Sequence, residues 1–180
     1  MANKLTIALL AGGLSPEREV SLNSGRQVYE ALDKGRYEVL CFDPKTDLAR
    51  LVAEAEHIDA ALIILHGANG EDGTVQGLLD LLNIPYQGSG VLGSAVAMNK
   101  LAAKRLYEQA GLPIPDYAVV RRGEALDPEA LAGRLGLPLV VKPVVGGSSV
   151  GIVIVRRPAD LEAAVALALE HDAQVLVEAY

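Results

Sequence analysis

The chain has 180 residues and a formal net charge of −7, from 16 basic and 23 acidic side chains. Hydrophobic residues make up 51% of it, which excludes a disordered or low-complexity chain. The acidic balance argues against a surface for nucleic acid, because phosphate binding needs a surplus of Lys and Arg. No apolar run reaches the length of about 18 residues that a membrane span needs. We therefore expect neither nucleic acid nor a membrane as a partner.

The single cysteine and the three histidines limit the chemistry further. Cys41 cannot form an intramolecular disulfide, and the apolar run around it predicts a buried thiol. Such a thiol fits a reducing compartment, so we expect the protein in the cytoplasm. Too few Cys and His residues stand at ligand spacing to predict a zinc site.

The first part of the chain alternates short apolar runs with segments of helical periodicity. The runs that predict buried strands are Leu5–Ala11, Tyr37–Phe42 and Ile58–Leu65. The segments Val20–Leu32 and Asp47–Glu56 carry apolar residues at helical spacing, with Val20 on the inner side of the first helix. This β-α-β-α-β order predicts a parallel sheet with right-handed crossovers.

A domain boundary is predicted near residue 111. Gly111 can end the preceding helix, and Pro113 and Pro115 prevent its continuation. We therefore expect one domain at residues 1–111 and a second unit at 112–180. The second unit reads strand, helix, strand, glycine–serine loop, strand, helix, strand. Its last strand, Gln174–Tyr180, runs to the last residue, which predicts a fragment of a longer protein.

The loop after the first predicted strand contains Gly12, Gly13 and Glu17. It lies at the carboxyl end of a strand, where open α/β sheets bind ligands. Two glycines allow a close approach of backbone to a ligand. Two interpretations of Glu17 stay open: it receives a substrate ammonium, or it only stabilises the first turn of the following helix.

A second loop, His66–Gly73, follows the third predicted strand and also lies at a strand's carboxyl end. It is rich in glycine and contains two acids, an amide and an imidazole. His66 is either a structural residue or a contact for the substrate. Glu71 and Asp72 are either part of a site or caps of the helix that begins near Thr74.

The strongest pattern is the segment Val140–Gly151, in which Lys142 ends a buried strand and a glycine–serine turn follows. A buried strand seldom keeps a lysine unless that lysine is paired. The amides and hydroxyls of the turn can hold phosphate oxygens while Lys142 supplies positive charge. Lys100 or Lys104, on the preceding predicted helix, could reach the same phosphates. The alternative is a hairpin turn with an exposed lysine.

Five motifs stand in order along the chain. They are Gly12-Gly13 with Glu17-Arg18-Glu19-Val20-Ser21; His66-Gly67 with Gly70-Glu71-Asp72-Gly73 and Gln76-Gly77; Pro85-Tyr86 with Gly88-Ser89-Gly90; Met98-Asn99-Lys100; and Lys142-Pro143 with Gly147-Ser148-Ser149-Val150-Gly151. Together they resemble the D-alanine–D-alanine ligase family of the ATP-grasp superfamily, over the whole chain. The chain departs from the family's usual pattern at Asn99, where aspartate is common, and at Leu14, which is bulkier than is common.

The resemblance implies an α/β fold, in which a Rossmann-like parallel-sheet domain is followed by an ATP-grasp α+β lobe that is truncated here. It also implies ATP-dependent ligation of two D-alanines through a D-alanyl phosphate, which supplies a dipeptide for peptidoglycan. The implied catalytic residues are Glu17 and Ser148. The implied substrate contacts are Glu17, His66, Ser148 and Ser149, and the implied ATP contacts are Lys100, Lys142, Gly147, Ser149 and Glu178. ATP, D-alanine, Mg²⁺ and a second copy of the chain are the implied partners, with no metal ligand expected within these residues.

Two alternatives stay open beside this function. The chain is a ligand-binding fragment without turnover, or it belongs to another ATP-grasp amino-acid ligase. In the resembled family the metal-binding acids lie beyond the matching part, so we expect the 180 residues alone to be inactive. D-Serine or D-lactate as the second substrate is equally compatible with the motifs.

Overall fold

The computed structural model describes residues 4–147 and 150–180, which form two compact units that divide after Ala95. This division precedes the predicted boundary near residue 111. The helix at Lys100–Gln109 counts with the second unit, where the Lys100 amide donates to the Val144 carbonyl over 3.0 Å. The domain limits 1–111 and 112–180 stay a prediction.

A three-stranded parallel sheet forms the centre of the first unit, as the sequence predicts. Its strands lie in the order Tyr37–Phe42 (β2), Leu5–Leu10 (β1) and Ala60–Ile63 (β3). Its middle strand is apolar and buried, with Ala8 and Leu10 fully inaccessible to solvent. The helices α1 and α2 connect the three strands, which confirms the β-α-β-α-β order. The elements are β1 (Leu5–Leu10), α1 (Arg18–Ala31), β2 (Tyr37–Phe42), α2 (Leu48–Glu54), β3 (Ala60–Ile63), α3 (Thr74–Leu81) and α4 (Val91–Met98), which runs past the division.

Small residues, and not the predicted Val20, form the buried side of α1. Ser21 and Gly25 are its buried residues, whereas Val20 is 58% exposed. A Cβ atom added at Gly25 would lie 2.4 Å from the Cβ of Ala11, so the helix approaches the end of β1 more closely than a larger residue would allow. Close approach selects small side chains here, and the prediction that Val20 lies on the inner side of the helix is therefore wrong.

Cys41 is exposed, which corrects the expectation of a buried thiol. It lies on β2, an edge strand of the described sheet, and successive side chains of a strand point to opposite faces. Its neighbour Phe42 is the buried residue at that end of the strand. An apolar run on an edge strand thus leaves the side chains on one face of that strand exposed to solvent.

The second unit is a four-stranded antiparallel sheet with two helices, Pro128–Leu135 (α6) and Leu161–Leu169 (α7). Its strands lie in the order Tyr117–Arg121 (β4), Gln174–Ala179 (β7), Leu139–Pro143 (β5) and Val153–Val155 (β6). Its strand–helix order matches the sequence prediction. β7 lies inside the sheet between β4 and β5, and Val175, Leu176 and Val177 are fully buried. The elements are α5 (Lys100–Gln109), β4 (Tyr117–Arg121), α6 (Pro128–Leu135), β5 (Leu139–Pro143), β6 (Val153–Val155), α7 (Leu161–Leu169) and β7 (Gln174–Ala179).

No helix within the described ranges is long and apolar enough to cross a membrane.

We predict that Gly25→Ala lowers the free energy of unfolding by about 1–3 kcal/mol, because the new methyl group overpacks the contact with Ala11. Alanine is otherwise the better helix former by about 1 kcal/mol, so a loss of stability isolates the steric effect. Urea denaturation of both proteins measures it.

Gly133→Ala on α6 is the matched control, since nothing lies within 4 Å of an added Cβ there. This variant should be as stable as the original or slightly more so. Equal effects of the two substitutions would contradict the close packing of α1.

Candidate functional site

Gly12 and Gly13 turn the chain at the end of β1 in a conformation that other residues rarely adopt. Their φ angles are +98° and +79°. A Cβ atom at Gly12 would lie 2.7 Å from the carboxylate of Asp43, so a side chain does not fit there. The Gly12 amide donates to Ser21 Oγ over 2.8 Å, and Ser21 Oγ donates to the Ile64 carbonyl over 2.5 Å. These bonds connect the loop to α1 and to the end of β3.

Asp43 holds this loop in place, although it is not among the site residues predicted from the sequence. Its carboxylate accepts from the Gly13 amide over 2.9 Å and pairs at two points with Arg18, at 3.0 and 2.5 Å. Arg18 also donates to the Gly13 carbonyl over 2.8 Å. The hydrogen bond from Arg18 is the main reason why the pKa of Asp43 is lowered to about 2. The sequence feature that could have identified Asp43 is its position, because Asp43 directly follows β2 at the carboxyl edge of the sheet.

Glu17 stands at the start of α1, where its side chain makes no capping hydrogen bond to the helix. Its Oε2 atom lies beside Gly67, where an added Cβ would be 2.9 Å away. The structure therefore brings Glu17 next to the His66–Gly73 loop, although the two are distant in sequence. Within the described residues no hydrogen bond or ion pair engages the Glu17 carboxylate. This is a position in which a carboxylate can accept an ammonium group.

His66 lines a cavity of about 220 Å³ together with Gly12, Gly13 and Gly70. The rest of the lining is mainly apolar, with Leu65 and Val75 among its residues. His66 Nε2 is buried and has no hydrogen-bond partner among the described residues. A buried polar atom without a partner is costly, and a bound ligand would satisfy it.

Glu71 and Asp72 hold the second loop in shape, which supports the capping interpretation. Asp72 accepts from the Thr74 amide over 3.0 Å at the start of α3, and from the Asn69 amide over 2.8 Å. Glu71 accepts from the Gly67 amide over 2.6 Å. Both carboxylates are thus occupied by backbone donors of their own loop.

The second unit contains a group that we call the lysine–glutamate cluster: Lys100, Lys104, Lys142 and Glu178. Glu178 is only 8% exposed and pairs through Oε2 with Lys104 at 2.9 Å and through Oε1 with Lys142. Burial by itself raises the pKa of Glu178, but the hydrogen bonds from both lysines outweigh it, and the pKa lies below the usual value. Lys142 is therefore a paired lysine at the end of a buried strand, and not an exposed hairpin residue.

Lys100 begins α5 and reaches the hairpin loop that follows Lys142. Its Nζ donates to the Gly146 carbonyl over 2.7 Å. The pKa of Lys100 is lowered, first by burial and then by the positive charge of Lys142. Asn99 caps α5 by accepting from the Ala102 amide over 2.9 Å, so asparagine here performs the capping that aspartate would perform.

The hairpin loop between β5 and β6 is anchored on one side by Asp172, which accepts from the Val145 amide over 2.7 Å. Gly147 is exposed within it. Ser148 and Ser149, predicted to contact substrates and ATP, lie outside the described residues. The structure thus gives the setting of the loop, and the roles of the two serines stay predictions.

Among the residues that the structure describes, no group of three or more His, Cys, Asp or Glu side chains is arranged to hold a metal ion.

Two family models match the chain. The model described as "D-ala D-ala ligase N-terminus" matches residues 6–49 and 43–89, and the one described as "D-ala D-ala ligase C-terminus" matches residues 106–180. The D-alanine–D-alanine ligase of Syntrophobacter fumaroxidans is 61% identical over 177 residues, which are 98% of this chain and 57% of that protein. The chain thus spans little more than half the length of the curated relatives it matches.

Solved structures give the same result. The crystal structure of D-alanine–D-alanine ligase from Bacillus anthracis complexed with ATP is 38% identical, with a TM-score of 0.86, over 98% of this chain and 58% of that one. The VanG D-Ala:D-Ser ligase from Enterococcus faecalis is 30% identical, with a TM-score of 0.79, over 99% of this chain and 63% of that one. Both likenesses extend over the loops and the lysine–glutamate cluster described above.

We predict that Asp43→Asn destabilises the first unit by about 2 kcal/mol near neutral pH, because the pKa of Asp43 lies at about 2 instead of 3.8. A lowered pKa stabilises the folded state above the pKa of the unfolded chain. This stabilisation is lost as the pH falls towards about 2. The difference between the two proteins in urea denaturation should therefore shrink from about pH 5 to about pH 2.

Asp160→Asn is the control, because Asp160 forms a similar two-point pair with Arg157 on an exposed surface. Exposed pairs contribute little to stability. A loss at Asp43 no larger than at Asp160, at every pH, would contradict the anchoring role.

Proposed function

The chain belongs to the D-alanine–D-alanine ligase family, and on that premise we propose that its protein joins two D-alanines with cleavage of ATP. The observation that carries the proposal is the hydrogen bond from Lys100 Nζ to the Gly146 carbonyl, which brings Lys100 to the loop that follows Lys142. The two lysines supply positive charge at one loop, which suits phosphates, in a chain whose relatives are ligases. The dipeptide product is destined for peptidoglycan.

The first unit supplies the substrate residues. Glu17 accepts the ammonium of the first D-alanine, since its carboxylate lies at the carboxyl edge of the parallel sheet without a described partner. His66 meets the carboxyl end of that substrate, which supplies the partner that Nε2 lacks. The neighbouring cavity of about 220 Å³ offers space for a small amino acid. With both polar ends held, the two enantiomers place the methyl group on opposite sides, and contact of that methyl group with the apolar wall of the cavity selects one of them.

The reaction proceeds in two steps. A carboxylate oxygen of the first D-alanine attacks the γ-phosphorus of ATP, so that an acyl phosphate forms and ADP leaves. The ammonium of the second D-alanine gives one proton to solvent, and the free amine attacks the acyl carbon. The peptide bond forms as the bond between the acyl carbon and the phosphate oxygen breaks, and phosphate leaves with the bonding electrons and with the surplus proton of the amine. Positioning and stabilisation of charge account for most of the catalysis in such transfers.

The second unit supplies the charge. Lys100 and Lys142 neutralise the phosphates of ATP, and Glu178 belongs to the same nucleotide site. The family resemblance alone assigns ATP contacts to Gly147 and Ser149, and a catalytic and substrate-binding role to Ser148.

Several further properties follow from the proposal. We place the protein in the cytoplasm, as a homodimer. Magnesium, which the family resemblance implies, has no candidate site among the described residues, so its contribution is not part of the two reaction steps. Its ligands are expected in the remainder of the full-length protein, since the match covers only 57% of the Syntrophobacter fumaroxidans relative.

A second candidate function is ligation of D-alanine to D-serine. The observation that favours it is the likeness to the VanG D-Ala:D-Ser ligase at 30% identity. Adding D-serine beside D-alanine and identifying the dipeptide by mass spectrometry separates the two candidates.

We predict that the full-length protein, given ATP and Mg²⁺, releases phosphate faster with D-alanine than with L-alanine. Glu17 and His66 hold both polar ends of the substrate, so the wrong enantiomer turns its methyl group out of place. A coupled phosphate assay with chromatography of the dipeptide measures this. Equal rates with the enantiomers, or no turnover with D-alanine, would refute the proposal.

We predict that Glu17→Gln raises the Michaelis constant for the first D-alanine about tenfold or more, because a charge-assisted contact is lost. The Michaelis constant for ATP should change much less. Glu19→Gln is the control, since Glu19 is an exposed acid of the same helical turn. If Glu17→Gln alters only thermal stability, Glu17 serves the helix and not the substrate.

A further inference from the structure

Lys104 is a buried lysine whose donors are all directed at protein groups. It is 8% exposed and lies one helical turn after Lys100 on α5. Its Nζ is 2.9 Å from Glu178 Oε2, 3.2 Å from the Pro115 carbonyl and 4.9 Å from the centroid of the Tyr117 ring. An ammonium group has three donors, and these three partners account for them. Lys104 is therefore not available as a direct contact for phosphate, whereas Lys100 at the start of the helix is.

Glu178 divides its two carboxylate oxygens between two lysines. Oε1 pairs with Lys142 and Oε2 with Lys104. One negative and two positive charges leave a net charge of +1 for the three residues. If Lys104 were absent, Glu178 would cancel the charge of Lys142, and the group would be neutral towards a phosphate.

We infer that Lys104 is a positioning residue for the nucleotide. Its ion pair with Glu178 balances that carboxylate, so that Glu178 orients Lys142 while Lys142 keeps its attraction for the phosphates. Lys104 acts through Glu178 and does not touch the nucleotide. The inference rests on the proposed function, because it assigns a role at the same ATP site.

The test compares the affinities for ATP and for adenosine, with Mg²⁺ present, in the full-length protein by calorimetry. Lys104→Met should weaken ATP binding about tenfold, because a unit of positive charge near the phosphates is lost. Adenosine, which has no phosphate, should bind within about twofold of the original affinity. A purely structural role would weaken both ligands alike.

The double variant Lys104→Met/Glu178→Gln supplies the decisive comparison. It removes one charge of each sign and leaves Lys142 as the net positive charge, so ATP should bind at least about threefold more tightly than it does to Lys104→Met, although the contribution of Glu178 itself is lost. Lys142→Met and Lys142→Met/Glu178→Gln are the matched pair. They should both bind ATP weakly, because the phosphate contact itself is missing.

Each outcome decides the inference. Unchanged ATP affinity in Lys104→Met, equal losses for ATP and adenosine, or no recovery in the double variant would overturn it. If Lys104→Met does not fold, the double variant, which leaves no unpaired carboxylate, still has to bind ATP at least about threefold more tightly than Lys142→Met/Glu178→Gln does. Failure of the wild-type protein to bind ATP would instead refute the proposed function.

Discussion

A carboxylate that leaves water must be paired, and this constraint shapes both candidate sites. Asp43 in the first unit and Glu178 in the second are each held at two points by cationic side chains. Asp43 also binds the backbone of the glycine loop, and Glu178 binds the lysine that precedes the hairpin loop. In the first unit the paired carboxylate holds a loop in position, and in the second it holds the lysine that precedes the hairpin loop.

The fold could be predicted where local patterns and burial agree. β1 is apolar except for Thr6 because it is the middle strand of its sheet, and its sequence predicts a buried strand. The second unit alternates strands and short helices that begin at clear signals, such as Asp127 at the N-cap of α6 and Pro128 at its first position. Sequence reasoning missed features that depend on which neighbour an element meets. The exposure of Cys41 follows from an edge position, and the contact face of α1 follows from the small size of Gly25 and Ser21.

The residues of the candidate site divide in the same way, into those that the local sequence predicts and those that depend on tertiary neighbours. Lys142 could be found because a lysine in an apolar strand requires a partner, and the structure supplies Glu178. The pairing of Lys104 with that same carboxylate could not be found, since it joins residues from α5 and β7 that share no local pattern. Asp43 escaped for a similar reason: Arg18 and Gly13 reach it only through the fold. The local sequence shows that a charged residue lies in an apolar segment, and the tertiary structure shows which group of opposite charge pairs with it.

The cap of α5 has an electrostatic consequence. Asparagine and aspartate bind the first helical amides equally well, but only aspartate brings a negative charge. With Asn99 at the cap, the positive end of the helix dipole and the ammonium of Lys100 act on their surroundings without an adjacent anion on the same turn. The whole chain carries −7 and repels a polyphosphate at long range, but salt at physiological strength screens such repulsion beyond about 8 Å. An approaching anion therefore experiences mainly the positive potential of this helix end, and an acidic protein attracts it there.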